Sequence, residues 1–402
     1  MYKKIFFCYL LIACCLFTQA QTYKKLHFNS IVVDTHNDIP STAIEKGVSF
    51  DQNLQSKTHS DLQRMAEGGV DAQFFSIWCD GNKENPYAWA NREIDTVIAW
   101  INRNPSKMMM AQSAGDIKKA VRQHKLAALL GVEGGHMIEN DLGNLVQLHK
   151  RGVRYMTLTW NNSTSWATSA LDEASPNPSQ GGALKDPNRK KGLTEFGKSV
   201  IQLMNKIGML VDLSHVGEQT FWDAINTTTK PVLVSHSCVY SLCPHRRNLK
   251  DDQILAVGKN GGVIHLNFYS GFLDSSFDRR TEIFNNSHKS ERDSLLKQNP
   301  EPYFADVLLF EKYPEEVKAL RPPLSALINH LDYIVKLIGV DHVGLGSDYD
   351  GVNSLPQQLD DVTAMPLITK ELLARGYSKK DIRKILGGNF LRVFKANEPI
   401  KN

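Results

Sequence analysis

Two histidines, His215 and His236, each stand directly after a serine at the end of a short apolar run. The runs are Met209–Leu213 and Pro231–Val234, and apolar runs of this length bounded by polar residues are typical of strands buried on both faces. The intervening Gly217–Thr229 is long enough for one crossover helix. Both imidazoles are therefore predicted at the carboxyl ends of consecutive parallel strands, where two such side chains can begin a metal site.

Four more residues with metal-ligand side chains follow other apolar runs. The first run, Ser30–Val33, leads into His36 and Asp38, which are predicted on one side because residues two apart in a strand share a face. Glu133 and Asp348 each come just after a later run. Imidazoles and carboxylates together favour a first-row transition metal, and we expect zinc.

The size of this ligand set predicts two ions rather than one. A zinc ion takes three or four protein ligands, and six candidates exceed that number. Glu133 is the expected shared ligand because Gly134 and Gly135 leave room around it. A carboxylate buried at this position without a cation would carry a high desolvation cost.

The spacing of the apolar runs predicts the elements that position these residues. Strand-like segments alternate with stretches long enough for helices, a pattern that indicates βα units and a parallel sheet. The count of eight favours a closed (β/α)8 barrel of the TIM type, the metal-dependent hydrolase form of the α/β class. The segments are Ser30–Val33, Val70–Trp78, Leu126–Val132, Val153–Thr159, Met209–Leu213, Pro231–Val234, Gly262–Asn267 and His342–Gly346.

We expect a single catalytic domain over residues 21–402, with two long connections. Residues 161–192 are polar, rich in Ser, Pro and Gly, and follow the fourth predicted strand, so they should cover the barrel mouth. Residues 272–319 are charged and partly helical, which favours a solvated surface insertion over a binding role.

The N-terminus has the pattern of a targeting segment. Two lysines precede the apolar run Ile5–Phe17, and a small residue, Ala20, follows it. This predicts a signal peptide over residues 1–20 and a secreted or periplasmic protein. The alternative is a lipoprotein anchored through Cys14, although the apolar run continues past that cysteine. No later run reaches the ~20 apolar residues of a transmembrane helix.

The charge and the cysteine content exclude other classes. A net charge of +4 over 402 residues, with no basic patch interleaved with aromatics, predicts no nucleic-acid partner. Cys79, Cys238 and Cys243 remain outside the leader, and their odd number and spacing argue against a disulfide framework or a thiolate zinc site. Buried free thiols are expected, with a Cys238–Cys243 pair as the alternative.

Several motifs resemble the membrane (renal-type) dipeptidase family. In chain order they are VVDTHNDIP, GVEGGH, RYMTLT, GMLVDLSH, VLVSHS, HRRN, GLGSDYDGV and GGNFLRVF, and together they extend from about Ile31 to Phe394. The family comprises zinc metallopeptidases of the amidohydrolase-like barrel superfamily. By this resemblance His36 and Asp38 bind one zinc ion, His215 and His236 bind the other, and Glu133 bridges both.

The resemblance also implies roles for residues that bind no metal. Asp348 matches the family's acidic residue that transfers the proton, with Asp350 in the same motif as the alternative. Arg247 matches the arginine that holds the substrate carboxylate. Trp160 departs from the pattern, because the animal enzymes have a histidine there that supports the substrate. An indole donates one hydrogen bond but does not titrate, so Trp160 is expected to alter substrate binding.

The resulting prediction is an exported zinc dipeptidase that cleaves dipeptides with a metal-activated hydroxide. The alternative is a related hydrolase acting on a lactam, a lactone or an N-acyl amino acid, which Trp160 keeps open. A binding protein that retained only the barrel would be expected to have lost ligands, yet all five are present. The resemblance is also compatible with a homodimer.

Overall fold

The computed structural model describes residues 22–174, 191–298 and 302–399. The predicted signal peptide, the alternative anchor at Cys14 and residues 175–190 of the first long connection lie outside these ranges. Within them, no helix is both long and apolar enough to cross a membrane. Export stays a prediction from the sequence.

In the described ranges, nine short parallel strands form one continuous sheet. They are β1 (Val33–Asp34), β2 (Ala72–Trp78), β3 (Met108–Met110), β4 (Leu126–Glu133), β5 (Val153–Thr157), β6 (Leu210–Asp212), β7 (Leu233–Val234), β8 (Val263–Leu266) and β9 (Val343–Leu345). The sheet order is β2-β1-β9-β8-β7-β6-β5-β4-β3, and β2 also pairs with β4. That additional pairing closes eight strands into a ring, to which β3 is joined through β4.

The predicted (β/α)8 barrel is confirmed, and each of the eight predicted segments overlaps a strand of the ring. The sequence patterns do not predict β3. Its three methionines offer neither the alternation nor the branched side chains that indicate a strand.

Helices surround the barrel and connect its strands. In the described ranges they are α1 (Ile39–Lys46), α2 (Leu62–Glu67), α3 (Pro86–Arg103), α4 (Ala114–Arg122), α5 (Leu142–Lys150), α6 (Ala170–Ala174), α7 (Glu195–Ile207), α8 (Glu218–Thr227), α9 (Asp251–Asn260), α10 (Ser270–Leu273), α11 (Phe277–Ser287), α12 (Lys289–Gln298), α13 (Pro302–Lys312), α14 (Pro314–Leu320), α15 (Leu324–Ile338), α16 (Met365–Ala374), α17 (Lys379–Arg383) and α18 (Asn389–Asn397). Residues 22–28 are also helical.

Local signals explain how the chain enters the strands that carry the site. Before β6, the side chain of Thr194 accepts a hydrogen bond from the Gly197 N–H and so caps the start of α7. The helix ends at Gly208, which has a φ of 82°, a conformation that glycine adopts without steric cost. The chain then turns directly into β6, and His215 follows that strand by three residues.

The barrel interior is filled below its mouth. The side chains that fill it come from alternating strand positions and include Val33, Phe74, Leu129, Tyr155, Leu210 and Val263. Phe390 of α18 joins this cluster, with its ring centroid 5.3 Å from that of Phe74. A larger apolar cluster lies between the strands and the surrounding helices. Because the interior is packed, the chemistry is left to the carboxyl ends of the strands.

The charged segment at residues 272–319 is mostly helical and contains α11 to α13 and nearly all of α14. These helices have an apolar cluster of their own, made by Phe277, Phe284, Leu309, Phe310 and Val317. The segment is therefore a packed helical insertion on the barrel, not a chain of separate solvated helices.

Candidate metal centre

The six predicted ligand and proton-transfer residues lie at the carboxyl ends of five of the eight strands in the ring. Glu133 is the last residue of β4, and the others follow their strands by two to four residues; they are His36 and Asp38 after β1, His215 after β6, His236 after β7 and Asp348 after β9. The structure brings all six side chains together at one end of the barrel.

The two carboxylate oxygens of Glu133 face different histidines. Its Oε1 lies 2.8 Å from His215 Nε2 and 3.3 Å from His236 Nε2. Its Oε2 lies 3.6 Å from His36 Nε2, and that nitrogen is 3.4 Å from an oxygen of Asp38. Glu133 thus separates one pair of candidate ligands from the other, which is the geometry of a bridging carboxylate.

On the side away from Glu133, the ring of His36 is hydrogen bonded to a phenol. Its Nδ1 lies 2.8 Å from the hydroxyl of Tyr155, and that hydroxyl donates to the Thr35 carbonyl at 3.2 Å. Because the phenol proton is already used, Nδ1 carries a hydrogen and Nε2 faces the centre. Burial opposes a charge on the ring, but the phenol and the carboxylates of Asp38 and Glu133 outweigh it and raise the pKa of His36 well above its usual value. A metal ion that binds Nε2 would therefore displace a proton from it.

The other two histidines are held in the same way. The Nδ1 of His215 lies 3.1 Å from the amide oxygen of Asn161, and the Nδ1 of His236 lies 2.8 Å from the hydroxyl of Ser235. Their Nε2 atoms are 2.9 Å apart. Burial lowers the pKa of His215 to about 4 and lowers that of His236 well below its usual value, so both rings are neutral ligands at pH 7.

This arrangement fits a metal and is poorly explained without one. Three imidazole Nε2 atoms and three carboxyl groups converge in a buried space, and the His36 Nε2 and Asp38 Oδ1 atoms are buried without a hydrogen-bond partner. Such atoms carry a desolvation cost unless a ligand satisfies them. Two sets of ligand atoms close enough for an ion occur within the described residues, namely His36, Glu133 and His236, and His36, Asp38 and Asp348.

Asp348 combines proximity to this centre with an unusual environment. Its Oδ1 lies 3.9 Å from His36 Nε2, and its Oδ2 accepts a hydrogen bond from the Asn267 amide at 2.7 Å. Burial, reinforced by Asp38 and Glu133, raises the pKa of Asp348 to about 8. Its φ of 60° is rare outside glycine, and such backbone strain is concentrated at functional sites.

Asp350, the alternative to Asp348, has a different environment. Its carboxylate accepts hydrogen bonds from the His59 N–H and the Ser60 hydroxyl, each at 2.6 Å. These contacts tie the loop after β9 to the segment before α2. The geometry therefore favours Asp348 over Asp350 as the residue that faces the metal centre.

Arg247 is a buried cation without an acidic partner in the part of the chain described. Its guanidinium donates to the Ser237 hydroxyl at 3.3 Å and to the His236 carbonyl at 3.2 Å, and its Nε has no partner. The ring of Phe272 lies 5.4 Å from the guanidinium carbon. Burial lowers the pKa of Arg247 to about 10, which still leaves it charged and available to an anion at neutral pH.

Trp160 lies beside the candidate bridging residue. Its Cβ would be 3.3 Å from a Cβ placed on Gly134, the neighbour of Glu133. Its ring meets that of Trp78 edge to face, with centroids 5.0 Å apart. Both indoles are partly buried, so the pair forms an aromatic wall next to the metal centre.

Three supporting residues were not singled out by sequence reasoning. Asn267 directly follows β8, so the strand-end rule that found the other candidates would have found it. Tyr155 lies inside β5 and Asn161 in the loop beyond it, and neither has a local pattern that points to a histidine on another strand.

The comparisons with known proteins bear on the family and the fold. The family model for membrane dipeptidase (peptidase family M19) matches residues 20–402. The probable dipeptidase PvdM from Pseudomonas aeruginosa has a similar structure, with a TM-score of 0.76 and 21% identity over 95% of this chain and 98% of its own. A metallopeptidase from Rhodobacter sphaeroides, liganded with a phosphinate mimic of the dipeptide L-Ala-D-Ala, gives a TM-score of 0.72 and 22% identity over 92% of this chain and 100% of its own.

At these identities the solved structures establish the fold, and the family model establishes descent. Its match extends over the whole barrel, including every strand end described above. The chain therefore belongs to the membrane dipeptidase family, peptidase family M19.

Proposed function

We propose that this metallopeptidase hydrolyses dipeptides with a free C-terminal carboxylate, using two zinc ions bridged by Glu133. The observation that carries the proposal is the orientation of three imidazoles, each with its Nδ1 hydrogen bonded behind it and its Nε2 aimed at one buried carboxylate. In this assignment His36 and Asp38 bind one ion, and His215 and His236 bind the other.

The chemistry divides between the metal and the side chains. When bound, zinc lowers the pKa of water towards ~7 and polarises a carbonyl group. The charge of bound metal ions would offset the raised pKa of Asp348 and leave its carboxylate ionised. Its Oδ1 then takes the proton of the attacking water and returns it to the leaving amine, while Asn267 holds Oδ2 in place. A positioned acid–base group of this kind contributes roughly 10²–10⁴-fold in rate.

Arg247 supplies the substrate preference. A buried guanidinium without an acidic partner gains a charge-assisted hydrogen bond when a carboxylate enters. The substrate carboxylate would thus be held a short distance from the metal centre, which a longer peptide cannot match. The Rhodobacter sphaeroides structure is liganded with a mimic of L-Ala-D-Ala, so we take that dipeptide as the first substrate to test.

The first test compares a dipeptide with its C-terminal amide, in wild type and Arg247→Met. The wild type should contain two zinc ions and prefer the free acid, and the variant should lose about 10²-fold in kcat/KM on the acid with little change on the amide. That loss corresponds to about 2.7 kcal/mol, within the 2–5 kcal/mol cost of removing one partner of a buried charge pair. Equal losses on both substrates would refute the proposed role of Arg247.

A second candidate function is hydrolysis of a lactam, a lactone or an N-acyl amino acid. The observation in its favour is the aromatic wall of Trp78 and Trp160, which offers an apolar surface where the related animal enzymes have a histidine. A panel of dipeptides with L- and D-residues at the second position, assayed beside a β-lactam and an N-acyl amino acid, separates the two functions.

We also propose that the protein is exported, on the basis of its first 20 residues. Mass spectrometry of the protein purified from its native cell should give Gln21 as the N-terminal residue. A lipid-modified Cys14 would support the alternative anchor.

A further inference from the structure

Two buried carboxylates lie directly beneath the candidate ligands, and their contacts are nearly identical. Asp34, at the end of β1, accepts the Ser347 hydroxyl at 2.6 Å and the Ser347 N–H at 2.8 Å. Asp212, at the end of β6, accepts the Ser235 hydroxyl at 2.6 Å and the Ser235 N–H at 2.8 Å. We call each pair an Asp–Ser clamp.

The two clamps also share their place in the barrel. Asp34 joins β1 to the residues after β9, and Asp212 joins β6 to the residues after β7. Each carboxylate accepts one further backbone N–H at 3.3 Å, two residues along its own chain. Both carboxylates are fully buried, so each clamp satisfies a group that would otherwise destabilise the fold.

The clamps differ in what the serine oxygen contacts next. The hydroxyl oxygen of Ser235 lies 2.8 Å from Nδ1 of the neighbouring His236 ring. The hydroxyl oxygen of Ser347 instead lies 3.2 Å from the backbone carbonyl of His36 and accepts the Tyr349 N–H at 3.2 Å. Of the two clamps, the one at Asp212 is therefore connected to an imidazole.

We infer that Asp212 and Ser235 are positioning residues that fix the tautomer of His236, an inference that rests on the proposed metal centre. The Ser235 proton is committed to Asp212, so the serine oxygen can only accept from the His236 ring. The ring hydrogen is therefore held on Nδ1, and the Nε2 lone pair is presented to the metal. The clamp at Asp34 has a structural role alone.

Asp212→Asn should reverse the direction of the hydrogen bonds between residue 212 and Ser235 and between Ser235 and His236. One carboxylate oxygen accepts two backbone N–H groups, from Ser214 and Ser235, and must stay an oxygen in the variant. The amide nitrogen then takes the other position, where it faces the hydroxyls of Ser235 and Thr157 and can only donate to them. The Ser235 hydroxyl then has two acceptors left, His236 Nδ1 at 2.8 Å and the Ser214 hydroxyl at 3.2 Å. The nearer one is His236 Nδ1, so the proton turns to that nitrogen and the ring hydrogen moves to Nε2.

The tautomer can be observed directly by ¹⁵N NMR of the metal-free protein labelled at histidine. Wild type should show His236 with its hydrogen on Nδ1, and Asp212→Asn should show it on Nε2. Asp34→Asn is the matched control, because it alters the twin clamp and should leave the His236 signals unchanged. A His236 tautomer that is the same in wild type and Asp212→Asn would overturn the inference.

Zinc affinity, measured by competition with a chromophoric chelator, gives a second readout. Ser235→Ala should weaken one of two zinc sites by 10–100-fold, the usual effect of losing the partner behind a metal-bound histidine. Ser347→Ala should bind zinc within about threefold of wild type, although both variants remove the serine hydroxyl that a buried aspartate accepts. Ser235→Thr keeps the hydroxyl and should restore affinity.

These outcomes separate the inference from the proposed function. A wild-type protein that binds no zinc would refute the metal centre itself. Tight zinc binding by wild type and by Ser235→Ala alike would refute the positioning role and leave the metal centre intact. If Ser235→Ala does not fold, the NMR comparison of the two Asp→Asn variants decides the question.

Discussion

At the scale of single residues, Trp160 is the position where the motif resemblance predicts a departure from the animal enzymes of the family. The indole packs against Trp78 and lies next to the glycine that follows Glu133. It can donate one hydrogen bond but cannot accept a proton or carry a charge. The adjacent Asn161 accepts a hydrogen bond from Nδ1 of His215, so a tryptophan at position 160 leaves this contact of the candidate ligand in place.

Trp160→His should therefore change turnover more than metal binding. We expect kcat on dipeptides to rise by about tenfold, because a single positioned donor at a developing charge is worth up to 10²–10³-fold. Zinc content should be unchanged. Steady-state kinetics on L-Ala-D-Ala, beside Trp78→Phe as a control that keeps the aromatic wall, measures the effect. A lower kcat with full zinc content would contradict this expectation and would show that the indole itself contributes to turnover.

At the scale of elements, the contact between β4 and β5 controls the support of His36. The register between these strands shifts at Leu130/Gly131, and this places the ring of Tyr155 over Gly131. A Cβ at that glycine would lie 2.0 Å from the ring carbon Cζ of Tyr155. The glycine thus makes room for the ring whose hydroxyl holds His36.

Gly131→Ala should accordingly destabilise the barrel and weaken zinc binding together. Overpacking of this kind costs about 1–3 kcal/mol, and displacement of Tyr155 removes the acceptor for His36 Nδ1. Gly115→Ala is the control, because its new Cβ would have no contact nearer than the Ser113 hydroxyl at 3.5 Å, and it should stabilise α4 by about 0.5–1 kcal/mol. Urea unfolding and chelator competition measure both effects. Unchanged zinc affinity in a destabilised Gly131→Ala would contradict the role given to Tyr155.

The register shift between β4 and β5 also shows which part of the site could be predicted from the sequence and which could not. Glu133, His215 and His236 follow apolar runs, and the ends of parallel strands meet at one edge whatever the exact pairing. The contact between Tyr155 and His36 depends instead on a one-residue shift between β4 and β5, which leaves no trace in local composition.

The helical insertion shows a different limit. Its charged residues predict a solvated surface, yet Phe277 and Phe284 lie seven residues apart on one face of α11 and pack with Phe310. That spacing is a sequence signal for a buried helix face, which net charge alone conceals. The departure at residue 160 was visible only through the family resemblance, because nothing else marks a tryptophan as replacing a histidine.

At the scale of the whole molecule, several buried histidines outside the metal centre join distant parts of the chain. His330, on α15, accepts the Val239 N–H at Nδ1 and donates from Nε2 to the Leu273 carbonyl. His265, on β8, donates to the Leu345 carbonyl on β9. Burial lowers the pKa of each ring to about 4. The contact of His330 with the Val239 N–H requires the neutral imidazole, because a protonated Nδ1 cannot accept a hydrogen bond. The His265 ring only donates, so its protonation is opposed by burial and not by loss of that hydrogen bond.

The folded protein should consequently lose stability in weak acid, and His330 allows this to be measured at one site. Its pKa is near 6.5 in the unfolded chain and about 4 when folded, so the unfolded state binds more protons between these values. The contribution of the neutral His330 ring to the free energy of unfolding is complete above pH 6.5 and disappears as the pH falls towards 4. It corresponds to about 2 kcal/mol between pH 7 and pH 5.

His330→Gln offers one acceptor and one donor but cannot be protonated in this range. Its free energy of unfolding should fall by about 2 kcal/mol less than that of wild type between pH 7 and pH 5, as measured by urea unfolding. His124→Asn, at an exposed position, is the control and should follow wild type. Parallel pH profiles for wild type and His330→Gln would mean that the buried ring takes up its proton at the same pH in the folded and the unfolded protein. That outcome would contradict its acceptor contact with Val239, because a charged imidazole has no lone pair to offer.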